Sequence, residues 1–274
     1  MSGTEPPRLT DRTALGRNRA RAQAEALFLH DLAIEDLQDR LAMVNRSFTS
    51  PVIVTGHPAK WADFPGLEPK VIADDDVLDL DQGAHDLVIH AMALHWADDP
   101  VGQIIQCTRA LRPDGLFLAI LPGGQTLTEL RAALAQAESE ITGGLSPRVA
   151  PMAEIRDLGA LLQRAGLALP VADGHPFTVS YASPLHLMRE LRAMGEGNAL
   201  HARLRHPTRR AILIRAAEIY VEAYGSDARI PATFELITLT GWAPDDSQPK
   251  PLRPGSAAQR LADALNAREV PLKD

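Results

Sequence analysis

Residues 86–122, DLVIHAMALHWADDPVGQIIQCTRALRPDGLFLAILP, constrain the fold of this chain more than any other stretch. An apolar run at 87–89 leads into a polar loop and an amphipathic segment. The turn Pro113-Asp114-Gly115 and a second apolar run at 116–121 follow. This is a strand–helix–strand pattern. Parallel strands need a connection of helix length, and such crossovers are almost always right-handed, so the pattern predicts a doubly wound α/β sheet. The helix is expected over 100–111, with Pro100 at its first position and Val101, Ile104 and Ile105 on its buried face. Ligands of such sheets lie beyond the carboxyl ends of the strands, which makes His90, Met92, His95 and Trp96 candidates for chemistry.

The flanks divide the chain into an N-terminal helical segment (1–50), an α/β domain with helical cap insertions (51–245) and a tail (246–274). Residues 1–9 read as lacking regular structure. Thr10 or Asp11 then caps one helix reaching about residue 45, with Ala22, Ala26, Leu29, Ala33, Leu37, Leu41 and Val44 on its apolar face. A break near His30-Asp31 is left open, and Arg17, Arg19 and Arg21 read as a solvated helix face. Strands are expected at 51–55, 70–73, 177–181 and 233–240, the last holding Phe234, Leu236 and Ile237 partly buried. Asp74, Asp75, Asp76, Asp79 and Asp81 form an acidic loop whose spacing does not fit an EF-hand, and no metal is assigned.

Beyond residue 122, Thr126 and Glu129 have capping-box spacing. Gly123-Gly124 before that helix is either an anion site or a plain turn. Further helices are expected at 152–165, 184–194 and 208–224, with a short one at 257–267 in the tail. Arg203, Arg205, Arg209, Arg210 and Arg215 form the strongest basic cluster, a candidate face for an acidic partner.

Composition narrows the function classes. A net charge of −7 disfavours nucleic acid as a partner, and the lone Cys107 excludes an internal disulfide or a cysteine zinc site. No apolar run approaches the roughly 18 residues of a membrane span, and the opening lacks the apolar core of a secretory signal. A soluble, cytoplasmic protein is the expectation.

Several motifs carry a resemblance. DLVIHAMALHWADDP with ALRPDGLFLA resembles the centre of class I S-adenosylmethionine (SAM) methyltransferases, in the branch of the malonyl-carrier-protein methyltransferases. TDRTALGRNRARA, GGQTLTELR, GGLSPRVAP, LGALLQRAG, RAMGEGNAL and PATFELITLTGW are similar to the mitochondrial complex I assembly factors of that branch and their bacterial relatives. The resemblance implies a Rossmann-like, seven-stranded, mostly parallel sheet with an antiparallel last strand, SAM at its carboxyl edge and a helical cap. It also implies a protein substrate, a subunit of respiratory NADH dehydrogenase, modified in that branch by arginine hydroxylation.

Against the family motif D-x-G-x-G-x-G only Gly56 remains. Val54 stands at the acid, Pro58 at the second glycine and Lys60 at the third, and about one strand–helix unit is missing. By the resemblance, Gly56, His57, Asp74, Asp75, His90, Ala91 and Met92 line a SAM site, Asp74 on the adenine side and 90–92 at the methionine end, with the ribose-holding acid lost with the missing unit and His90, His95 and Trp96 as catalytic candidates. Gly123, Gly124, Gln125, Thr126, Glu129, Arg131, Arg148, Glu196 and Asn198 would face the substrate or partner. Three functions follow: a SAM-family enzyme of complex I assembly, a noncatalytic scaffold with the same partners, or a small-molecule methyltransferase, which needs an enclosed pocket.

Overall fold

The computed structural model describes residues 8–249. Eight helices and six strands lie within them: α1 (Arg12–Arg19), α2 (Phe28–Met43), β1 (Pro51–Thr55), α3 (Pro58–Trp61), β2 (Lys70–Ile72), β3 (His85–Ala91), α4 (Pro100–Ala110), β4 (Leu111–Pro122), α5 (Thr128–Thr142), α6 (Ile155–Arg164), β5 (Ala168–Tyr181), α7 (Pro184–Ala193), α8 (Arg210–Tyr224) and β6 (Ile230–Trp242). The expected crossover is β3–α4–β4. Asp99 caps α4 by accepting from the Gly102 amide, and Pro100 occupies its first turn.

The six strands form one sheet in the order β2-β1-β3-β4-β6-β5. The first four are parallel, and β6, last in sequence, runs antiparallel to both its neighbours. The sheet is therefore mostly parallel and shorter than seven strands by one, as the reduced pattern around Gly56 implied. The chain goes from β1 outward to β2 and then returns to the other side with β3, so the order reverses between β1 and β3. Ligands of doubly wound sheets bind at that switch point. Register keeps the carboxyl ends level: Val54 pairs with both Ile72 and His90, and His90 pairs with Ala119.

Alternation along the strands fills two cores. Ile53, Leu87, Ile89, Leu116 and Leu118 face α2, α5, α7 and α8. Val52, Val54, Val88, Phe117 and Leu121 face α4 and α6. Truncating one of these fully buried side chains to alanine costs about 2–5 kcal/mol. β5 is an edge strand, which explains how a 14-residue strand tolerates Pro176, since an edge residue has no partner for the missing N–H on its open side.

Three sequence expectations change here. The N-terminal helix is two helices, interrupted over residues 20–27 where the Gln23 amide donates to the carbonyl of Ala193, the last residue of α7. No local breaker marks that break, which a tertiary contact imposes. β5 and β6 extend well past the strands expected at 177–181 and 233–240 because they pair along their whole length, and Phe234, Leu236 and Ile237 are fully buried. The capping box does not form. Leu127, in the left-handed region at φ 56°, occupies the cap position of α5, while Thr126 bonds the Glu235 backbone and Glu129 accepts from Thr233.

The chain divides into two units, Met1–Pro244 and Asp245–Asp274. In the second, residues 245–249 form a turn in which Ser247 N–H donates to Asp245 Oδ1. The segment 1–7 and the tail helix expected at 257–267 lie outside the described residues.

Candidate functional site

Two cavities open at the carboxyl edge of the sheet. The first is a cleft of about 850 Å³ between α1 and the ends of β1 and β2, with Gly56, His57, Asp74 and Asp75 in its wall beside apolar residues such as Leu15, Leu27 and Val71. Asp74 is two residues past β2, beside β1, the position where doubly wound sheets hold an acid for ribose hydroxyls. Two arginines of α1 reach it. Arg19 Nη1 donates to Oδ1 at 2.7 Å and Arg12 Nη1 to Oδ2 at 3.2 Å.

The Arg19 and Asp74 side chains are 10% and 5% exposed, so this pair is almost fully desolvated. Burial pushes the Asp74 pKa up, but the charge and hydrogen bond of Arg19, with Arg12 behind, hold it below the ordinary carboxylate range. Arg19 also lies flat on Gly56. A methyl group at Gly56 would fall 2.1 Å from the guanidinium carbon, so the glycine is what admits the arginine. Arg19 Nε and Nη2 and His57 Nε2 are buried without a hydrogen-bond partner among the described residues. The two Arg19 nitrogens are donors beside a cavity and call for an acceptor that enters it, while the His57 nitrogen is a donor or a lone pair according to its tautomer.

The second cavity, about 310 Å³, is an apolar chamber under the cap, walled by residues such as Met92, Leu134, Met188 and Phe234. Met92 takes φ 52° just past β3, and a single 3₁₀ turn, Leu94–Trp96, follows. His95, Trp96 and Glu196 stand in the chamber wall. Trp96 Nε1 donates to Glu196 Oε2 at 2.8 Å, and His95 Nε2 lies 3.5 Å from the same oxygen. Burial works to raise the Glu196 pKa, but the hydrogen bond and charge of His95, with Arg19 and the Trp96 indole, bring it down to about 2.

Two imidazoles separate the cavities. His30 lines the chamber and His57 the cleft, with ring centroids 4.7 Å apart. Trp61 Nε1 donates to His30 Nδ1, and burial depresses the His30 pKa to about 3, so the ring is neutral.

His90 lies in neither wall. Its side chain shares the Val88 face of β3, where Nε2 meets Gln103 Oε1 at 2.7 Å while the Gln103 amide donates to Asp75 O. Nε2 therefore carries the proton and Nδ1 is a bare, buried lone pair. Burial lowers the His90 pKa to about 4. Ala91 is buried in the core shared with α2 and α5.

The remaining candidates separate into groups. Thr126, Arg148, Glu196 and Asn198 line the chamber. Arg148 is held by a bidentate pair with Glu138 and by Thr208, and Asn198 donates to Pro147 O. Gly124 and Gln125 are taken up internally, because Glu235 Oε2 accepts from the Gln125 amide. The local carboxylate thus occupies the anion position considered from sequence. Gly123 packs on Ile237, Glu129 is tied to Thr233, and Arg131 reaches two backbone carbonyls.

Residues 59–119 match the family model described as a methyltransferase domain. Over 253 residues the chain is 35% identical to the mitochondrial arginine-hydroxylase NDUFAF5 of Danio rerio, covering 92% of this chain and 72% of that protein. The chain belongs to the NDUFAF5 family. The Homo sapiens member is 38% identical over 190 residues, which are 68% of this chain and 54% of that protein. A malonyl-[acyl-carrier protein] O-methyltransferase of Methylovorus is 34% identical over 64% of this chain and 56% of its own length. Among solved structures, the YcgJ protein of Bacillus is similar with a TM-score of 0.46 and 10% identity, covering 81% of this chain and all of that one. The cytoplasmic placement expected from the sequence is overturned by the NDUFAF5 relatives, which are mitochondrial proteins by name. No helix among the described residues is long and apolar enough to cross a membrane.

Three site residues of this family member escaped the sequence reading. All three lie in the stretch read as one N-terminal helix: Arg12 was given no role, Arg19 was read as part of a solvated face, and His30 as the place of a break. The available signal was the number of arginines in TDRTALGRNRARA beside an acidic loop and a bare Gly56. Within the arginine cluster near residue 205, Arg203 and Arg205 pair with Asp11 and Arg215 with Glu140, Glu218 and Glu222, while Arg209 and Arg210 are exposed. Of the acidic loop, Asp74 is buried while Asp75, Asp76, Asp79 and Asp81 are exposed.

Proposed function

We propose that this NDUFAF5-family chain acts in the assembly of respiratory NADH dehydrogenase by modifying an arginine of one of its protein subunits, with SAM in the cleft beside α1 and the substrate side chain in the chamber under the cap. The observation that carries this reading is the placing of the two cavities back to back at the carboxyl edge, divided by the His30–His57 pair. A two-component reaction needs its partners held in one geometry, and positioning of that kind contributes more than any single acid or base.

The cleft has groups that fit SAM. Asp74 would take the ribose hydroxyls with the lone pairs its arginines leave free. Arg19 would satisfy its unpartnered nitrogens on the SAM carboxylate. When bound, SAM supplies a sulfonium centre bearing an electrophilic methyl group. The apolar walls of the chamber exclude water, and Trp96 with His95 fixes the Glu196 carboxylate.

The reading is tested in a strain whose gene for this chain is deleted and restored. Assembled NADH dehydrogenase, resolved on native gels, falls in the deletion and returns with the gene. Normal levels in the deletion strain would remove the pathway assignment.

A further inference from the structure

Glu196 is built into the chamber with unusual care. It follows α7 in a Schellman ending: the Glu196 amide donates to Leu191 O, and the Gly195 amide to Arg192 O. Gly195 takes φ +85°, and a methyl group on it would come within 3.1 Å of Arg19 Cα, so this turn requires glycine. The turn brings the Glu196 carboxylate inward to an apolar wall. Both of its contacts fall on Oε2, from Trp96 and His95. Oε1 makes no hydrogen bond among the described residues, although the side chain retains 20% exposure, all the access the chamber gives it.

A carboxylate in an apolar cavity is costly unless a counter-charge arrives. His95, at Oε2, and Arg19 at longer range offset part of that cost, but no cation of the wall hydrogen-bonds Oε1. Arg148 is consumed by Glu138 and Thr208, and Arg192 is exposed at the rim. A planar guanidinium is the cation best matched to a free carboxylate oxygen in a desolvated site, because it is weakly hydrated and donates along fixed directions. Its three-carbon stem suits walls made of Met92, Met188, Met194 and Leu134.

We propose that Glu196 is the specificity-determining residue that receives the guanidinium of the substrate arginine, whose stem lies along the methionine and leucine walls of the chamber. The inference rests on the reading that this chamber accepts a protein side chain, and adds to it the residue that selects the charge.

The test uses the full chain and two probes of equal shape, n-hexylguanidinium and neutral n-hexylurea, titrated while Trp fluorescence is recorded. Hexylguanidinium is expected to bind at least tenfold tighter than hexylurea. E196Q is expected to erase that preference while retaining hexylurea affinity. Equal affinity of the two probes for the unaltered protein, absence of binding by either, or a preference that survives in E196Q would each overturn the proposal. The first two outcomes need no variant, so they stand even where E196Q fails to fold. Loss of probe selectivity with a positive gene-deletion result would remove the role of Glu196 alone. Selective binding with normal NADH dehydrogenase in the deletion strain would remove the pathway and leave the pocket chemistry.

Discussion

The two cavities differ in how they treat charge. In the cleft, Asp74 is already met by two arginines and the surplus lies in donors, Arg19 Nε and Nη2. In the chamber the surplus is an acceptor, one oxygen of Glu196, set in hydrocarbon. A site with spare donors suits a ligand carrying a carboxylate. A site with one spare anion suits a cationic side chain. The contrast shows how this family member can lose most of a glycine-rich turn and keep a binding edge: α1 now supplies, through Arg12 and Arg19, part of the wall that the turn would have formed.

The largest effect should come from breaking the cleft's central pair. D74N leaves Arg19 buried without its counter-charge, and removing one partner of a buried pair costs roughly 3–5 kcal/mol. Urea denaturation checks this. A loss within about 0.5 kcal/mol, the range of ordinary surface changes, would mean that the pair is screened by solvent and that α1 is not anchored there.

Next in size is a pH effect from two buried imidazoles, His30 in the chamber wall and His90 on the α4 face of β3. Burial lowers His30 from 6.5 to about 3 and His90 from 6.5 to about 4. Between pH 6.5 and 4 the unfolded chain takes up protons that the folded protein refuses, so stability falls as pH falls, by up to ~1.4 kcal/mol per pH unit for each histidine. The lowered carboxylates Asp74 and Glu196 act in the same direction at lower pH still. Urea midpoints at pH 7 and pH 5 measure the slope, and H90N should reduce it by about one proton. A flat profile would show that these rings are protonated in the folded state.

What the sequence made legible was the part that periodicity governs. The β3–α4–β4 unit, the two-sided alternation of its strands and the placing of His95 and Trp96 near the carboxyl edge follow from residue order, while Glu196 was reached only through the family resemblance. The break between α1 and α2 did not, because the Gln23–Ala193 hydrogen bond imposes it across some 170 residues of chain. Arg19 looked like a solvated residue for the same reason: its burial depends on the glycines at 56 and 195, which are distant in sequence and adjacent in space. Thr126 and Glu129 had the spacing of a helix cap, yet β6 offered both of them better partners in Glu235 and Thr233.

The central claim is that the remodelled cleft still takes SAM, with Arg19 as part of its wall. Calorimetric titration of the purified full chain with SAM tests it most directly, with R19A alongside. Micromolar binding that weakens about tenfold in R19A, equivalent to ~1.4 kcal/mol, is the predicted result. No binding up to millimolar SAM, or tighter binding in R19A, would contradict it, the latter by showing that the arginine fills the cofactor's place.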